Sequence, residues 1–280
     1  MRNIFFIFIL ISPLIKSQGV FNDGDYENVD PCGDENSSLL INKRAVPRQY
    51  LRESDVAWEK RVWRDLDLKE RQNFSLYYPT EYLPCRLSLI QIVSKHVLNG
   101  ELIAFEDESF YKPLEISAVR NKIRETGEIS EITYDEEGNQ RETTRAVTDS
   151  VSFLNRVTKV RILEDWYMNK QNSNLEVRIV AMGFYEFLPD KDAYKELFWV
   201  YFPALRKQLS KYRVFNGKNN GDYSSFDDLF LRREFSSLIV KENNVYDRSI
   251  SEYCNGIDAL LESDRIKYEI FKMEQDWWQY

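Results

Sequence analysis

The stretch "KVRILEDWYMNKQNSNLEVRIVAMGF", Lys159 to Phe184, decides how this chain is built. Successive side chains of an extended strand point to opposite faces. Val160, Ile162, Glu164, Trp166 and Met168 therefore share one side, and Arg161, Leu163, Asp165, Tyr167 and Asn169 the other. The polar "NKQNSN" makes a turn, after which Leu175, Val177, Ile179 and Ala181 share a face. A turn centred near Gln171–Asn172 sets Trp166 opposite Val177 and Met168 opposite Leu175. It also sets Asp165 opposite Arg178, a favourable cross-strand charge pair. Adjacent Glu164 and Asp165 resemble a catalytic acid pair, but glycosidase carboxylates must face one cleft at roughly 5–10 Å. On a regular strand the two acids point apart. Glu164, left on the apolar side, is expected to lie near the sheet edge, to carry a basic partner or to mark a bulge.

Working outward, "VAMGFYEF" and "ELFWVYF" (Glu196 to Phe202) are apolar on both faces, as central strands covered on both sides would be. Pro203 then opens a helix, "PALRKQLSKYRVF". Upstream, "ESDVAWEKRVWRDLDLKERQN" (Glu53 to Asn73) reads as an amphipathic helix capped by Ser54 or Asp55. Trp58, Val62 and Leu66 recur in it every four residues, with Trp63 off the stripe. A second helix spans Leu87 to Leu98 and stops at Asn99-Gly100, and the strand "ELIAFED" follows. The single histidine, His96, lies in that helix's last turn, where the helix dipole favours a cation. A short helix from Pro113 to Arg124 precedes an exposed hairpin, "EITYDEEGNQRETTRAV".

Downstream, "SSFDDLFLRREFSSLIV" begins with Ser225 and Asp228 at capping-box spacing and reads as a helix carrying Phe226, Leu229, Phe230, Phe235, Leu238 and Ile239. "ENNVYDR" (Glu242 to Arg248) is a polar loop for capping and bracing that presents Tyr246. The terminal helix, Ile257 to Trp278, has one apolar line through Ile257, Leu260, Leu261, Tyr268, Phe271 and Trp278. A second line runs through Ile266, Ile270, Met273 and Trp277. A single-faced surface helix needs a narrower stripe, so this one is either sandwiched between layers or kept for a partner.

The folded part, residues 48–280, shows no repeat and no Pro/Gly/Ser linker, and its order of elements predicts one α+β domain with an antiparallel or mixed sheet, several helices and a helical C-terminal part. At 43% hydrophobic and 14% aromatic, the chain has ample apolar material for a core. Residues 18–47 are polar and read as an extended N-terminal arm. Residues 1–17 read as a signal peptide, with the boundary alternatively at 19: Arg2, then the apolar "IFFIFILISPLI", then small residues. No cysteine ends that apolar run, so lipid anchoring is not expected. Removing residues 1–17 deletes Arg2 and Lys16 and no acid, leaving 36 basic against 46 acidic residues, about −10. That balance opposes nucleic acid or an anionic membrane as a partner.

The sequence offers no catalytic, cofactor-binding or metal-binding residues. Triad catalysis would depend on His96 alone. Neither Cys-x-x-Cys nor His-Glu-x-x-His occurs, and there is no Walker-type or Gly-x-Gly-x-x-Gly loop. "NDGDYENVD" (Asn22 to Asp30) alternates acids like a calcium loop but lacks the glycine at the sixth position. Cys32, Cys85 and Cys254 allow at most one intramolecular bridge, with Cys85 and Cys254 as the candidate pair, and three unpaired, partly buried thiols are the favoured expectation.

Five separated segments resemble the GldN/PorN family: "RQYLRESDVAWEKRVWRDLDLKERQN", "EDWYMNKQNSNLEVRIVAMGF", "ELFWVYFPALRKQL", "FDDLFLRREFSSLIVKENNVYDRSISEY" and "GIDALLESDRIKYEIFKMEQDWW". They cover most of Arg48 to Trp278 in the right order. The resemblance implies a non-enzymatic periplasmic scaffold of the type IX secretion and gliding-motility machinery. It further implies a ring-like complex with a GldK/PorK-like lipoprotein, contact with the periplasmic part of a GldM/PorM-like protein, self-association in the ring, and a membrane association that is indirect. It supplies no catalytic residues. Candidate partner-contact residues are Trp63, Tyr246, Trp277 and Trp278. Two competing readings are a periplasmic hydrolase using a carboxylate pair and a secreted glycan-binding module with Trp63, Trp277 or Trp278 as its platform.

Overall fold

The computed structural model describes residues 43–83, 86–123, 125–134, 140–149, 155–215 and 224–278. The leader, the arm before residue 43, the calcium-like stretch, Cys32 and Cys85 lie outside them, so the expectations placed there have no structural counterpart.

The core is a six-stranded antiparallel sheet in the order β2-β7-β6-β5-β1-β8. Its strands are β1 Val56–Asp67, β2 Ala104–Phe105, β5 Val157–Asn169, β6 Asn174–Leu188, β7 Ala193–Tyr201 and β8 Leu238–Glu242. A separate hairpin pairs β3 Glu125–Tyr134 with β4 Gln140–Asp149, where the sequence predicts one. Among the described residues six helices accompany these strands: α1 Phe74–Tyr77, α2 Leu89–Leu98, α3 Ile116–Ile123, α4 Phe202–Leu209, α5 Phe226–Arg232 and α6 Ile257–Trp278. The fold is thus α+β with an antiparallel sheet and a C-terminal helix.

The hairpin β5–β6 forms the middle of the sheet. Its register pairs Trp166 with Val177, Met168 with Leu175 and Asp165 with Arg178. The pairing then slips: Glu164 faces Ile179 while Leu163 faces Ala181, so Val180 is the extra residue of a bulge. The slip moves Ala181 off the face of Ile179. Ile179 packs with the helices, whereas Ala181 joins Trp63, Leu163, Tyr185 and Trp199 on the other side.

Glu53 to Asn73 is not the helix its spacing suggests. Residues Glu53–Asp55 make a single 3-10 turn, and Val56–Asp67 is β1, antiparallel to β5 and β8. A repeat of four is common to both periods, close to one helical turn and also two strand repeats. Trp58, Val62 and Leu66 therefore share a face either way. Trp63 separates the two cases, since as a strand residue it points to the opposite face and is buried there.

Three further segments differ from expectation, the first being the helix opened by Pro203, which ends at Leu209 and not at Phe215. The helix from Ser225 ends at Arg232, and Leu238 and Ile239 belong to β8. The chain stops helically at Arg233, which adopts the left-handed φ of 58° that glycine usually takes. The strand after α2 is confined to Ala104–Phe105.

The helices cover one face of the sheet. Leu66, Val160, Ile162, Met182, Phe184 and Phe198 pack there against residues of α2 to α5. On the same face, Val62 and Ile239 meet Ile266 and Ile270 of α6. Ile266 and Ile270 of the second apolar line of α6 are thus turned inward, while Ile257, Leu260, Leu261, Tyr268 and Phe271 of the first are exposed.

Candidate interaction surfaces

Glu164 occupies the helix side of the sheet and is fully buried, at 0% exposure. Its charge is met by Arg233, whose Nη1 lies 2.8 Å from Oε1 and whose Nη2 donates to Oε2 at 3.1 Å. The first contact lacks hydrogen-bond angles and acts as charge attraction alone. Trp166 Nε1–H also donates to Oε2, at 3.0 Å. The Arg233 guanidinium sits 5.1 Å from the Trp166 ring and 5.3 Å from that of Phe235. Nearby Arg64 is held below its usual pKa by burial, with Glu164 opposing that shift. Of the three outcomes expected for Glu164, two occur together: a basic partner and a bulge opposite.

The other face of the sheet is built differently. Among the described residues its apolar cluster of Trp63, Leu163, Ala181, Tyr185 and Trp199 includes no helical residue; Phe105 and Phe110 pack against it. Above and beside these rings runs a ladder of charges. Arg61 grips Asp165 with two hydrogen bonds of 2.6 and 2.8 Å. Arg161 grips Asp65 at 2.6 and 3.0 Å, and Lys159 adds a 3.6 Å contact to Asp65. The hydrogen bond to Asp165 raises the Arg61 pKa. Lys159 covers the Tyr194 ring at 3.6 Å and Lys241 the Trp63 ring at 4.6 Å. The Trp199 ring lies so close over Gly183 that a Cβ there would meet it at 2.7 Å.

The predicted site residues fall into separate places. Trp63 is 7% exposed, roofed by Lys241 and donating its Nε1–H to Glu108 at 2.6 Å, so it offers little surface to a partner. Tyr246 is 73% exposed in a loop braced by Asn244, whose Oδ1 accepts from the Tyr246 and Arg248 amides at 3.1 Å. Trp277 and Trp278 end α6 within the helix. Asp165 and Arg178 are opposite in register, yet the carboxylate goes to Arg61. Arg178 turns instead to the Tyr167 hydroxyl, 2.7 Å, and the Gln49 carbonyl, 2.9 Å. A central strand has two neighbours, and β1 became one only once it was a strand.

His96 is buried between the Glu101 carboxylate, 2.8 Å, and the Tyr212 hydroxyl, 3.0 Å. Asp227 is gripped by Arg206 at 2.7 and 3.0 Å. Glu164 and Asp165 face opposite sides, each against an arginine. Among the described residues no group of three or more His, Cys, Asp or Glu side chains could hold a metal ion. Cys254 is a free thiol half-buried beside the α6 cluster. No helix among the described residues is long and apolar enough to cross a membrane.

A concave feature lies where the segment before β1 crosses β6. It is a cleft of about 260 Å³ lined by Arg48, Gln49, Tyr167, Glu176, Arg178 and Arg233 among others.

An antiparallel sheet backed by helices on one face, with an apolar cluster on the other that includes no helical residue among those described, and a terminal helix that keeps an apolar line outward together define an α+β fold. Residues 51–279 match the family of gliding motility associated protein GldN, and the chain belongs to that family. It is accordingly a component of the gliding-motility and type IX secretion machinery. No curated protein matches the chain.

Proposed function

We propose that the chain is a non-enzymatic structural subunit on the periplasmic side of the type IX secretion machinery, assembled into a ring with a GldK/PorK-like lipoprotein and contacting a GldM/PorM-like protein. Membership of the GldN family carries this reading. The outward line of α6 supports it. Ile257, Leu261, Tyr268 and Phe271 recur at helical spacing and stand half to three-quarters exposed, a surface that costs solvation until a partner covers it. We assign the lipoprotein to this line and take exposed Tyr246 as a second contact. The signal-peptide pattern at residues 1–17 fits export to the same compartment.

Co-expression with the lipoprotein and the GldM/PorM-like counterpart tests the reading. A high-mass assembly containing all three is expected. A chain that stays monomeric beside both partners contradicts it.

A further inference from the structure

The cleft at Arg48 coincides with an open strand edge. β7 pairs with β6 from Ala181 onward and ends at Tyr201, where α4 begins. Among the described residues no strand pairs with Asn174–Val180 on that side. The edge is touched instead by Arg48, whose Nη1 donates to the Val177 carbonyl at 3.4 Å. An unpaired stretch of edge is a template for an added strand.

The charges around the edge do not cancel. Arg233 is taken up by Glu164. Arg178 hydrogen-bonds to neutral groups, the Tyr167 hydroxyl and the Gln49 carbonyl, and lies near enough to Glu176 to lower that carboxyl's pKa. Arg48 makes no hydrogen bond to a carboxylate among the described residues. Glu176 is the acid of the cleft, and its oxygens already accept from Tyr167 at 2.6 Å and Asn172 at 3.1 Å. Two guanidinium groups, Arg48 and Arg178, therefore face the single carboxylate of Glu176, and positive charge is left in excess. Arg206, which also acts on Arg48, is neutralised by Asp227.

We propose that this cleft binds a peptide carboxylate presented by an extended segment running along the free edge of β6. The guanidinium fork of Arg48 matches a carboxylate bidentately, as a point-charge lysine does not. Main-chain hydrogen bonds to Val177 and its neighbours supply the alignment, and Tyr167 with Phe230 and Leu231 forms the apolar wall. The carboxylate comes from an acidic side chain or from a chain terminus. This inference does not depend on the secretion role proposed above.

Three unlabelled peptides titrated into the full chain at low salt, followed by isothermal titration calorimetry, test it: acetyl-VEVEV-amide, acetyl-VQVQV with a free C-terminus, and neutral acetyl-VQVQV-amide. At least one carboxylate-bearing peptide is expected to bind tenfold or more tightly than the neutral one. The first assigns a side chain as the source, the second a terminus. Arg48→Gln is expected to erase that preference at unchanged melting temperature, and Arg48→Lys to retain part of it. Equal binding of all three peptides, or a preference that survives Arg48→Gln, overturns the proposal.

Discussion

Glu164 Oε1 lies 2.8 Å from Arg233 Nη1, joining the middle of the central strand to the residue that ends α5. Each residue is unusual in its place, one a buried acid on the apolar face and the other a non-glycine residue at positive φ. A buried ion pair is weak support for stability while intact, but removing one partner leaves a charge without compensation.

Arg233→Ala is therefore expected to lower unfolding stability by about 3–5 kcal/mol, read from urea denaturation. Replacing both partners, Glu164→Gln with Arg233→Met, is expected to cost clearly less than Arg233→Ala alone. A loss below about 1 kcal/mol for Arg233→Ala would show that Glu164 does not depend on its guanidinium partner.

Gly183 is the second sensitive point, because the Trp199 indole occupies the space of a side chain. Gly183→Ala forces that buried ring or the strand to move, at about 1–3 kcal/mol. Pairing it with Trp199→Leu relieves the clash, so the two substitutions are expected to be non-additive in thermal melts.

Tyr167 links stability to alkaline pH. Burial first, and then its hydrogen bond to Glu176, push its phenol up to about 12. The unfolded chain releases this proton near 10 while the folded protein keeps it. The contribution is therefore complete below pH 10 and lost as pH rises from 10 toward 12. Tyr167→Phe is expected to lose less stability over that window than the parent chain, and to lack one late-titrating phenol in ultraviolet absorbance.

Much of the β5–β6 hairpin was legible because alternation and a six-residue polar turn, Asn169 to Asn174, fix strand phase independently of tertiary context. Its weak point was the bulge at Val180, which carries no glycine to announce it. The charge partner of Asp165 was hidden for a related reason: sequence shows the hairpin neighbour Arg178, opposite in register, but not the strand that brings Arg61 from 104 residues earlier. β1 itself was hidden by spacing of four, which suits helix and strand alike. The one discordant residue, Trp63, was the available signal. The end of α5 was missed because Arg233, not glycine, takes the left-handed conformation. For α6 the two apolar lines were visible in the sequence, but which one faces inward depended on Val62 and Ile239, brought beneath it by distant strands.

Outward side chains of α6 contribute little to the isolated fold. Leu261→Ser with Phe271→Ser is expected to change monomer stability by no more than about 1 kcal/mol, since both residues stand at least half exposed. Ile266→Ser on the inward line is expected to cost several times more, as a polar group replaces a fully buried one.

The most direct measurement is the sedimentation profile of the chain co-expressed with its lipoprotein partner, compared between the parent sequence and Leu261→Ser with Phe271→Ser. The parent is expected to sediment as a high-mass assembly and the double variant as a folded, smaller species with the parent's melting temperature. An undiminished assembly from the double variant would contradict the assignment of the α6 line to the partner, and a parent that never leaves the monomer position would contradict the structural role itself.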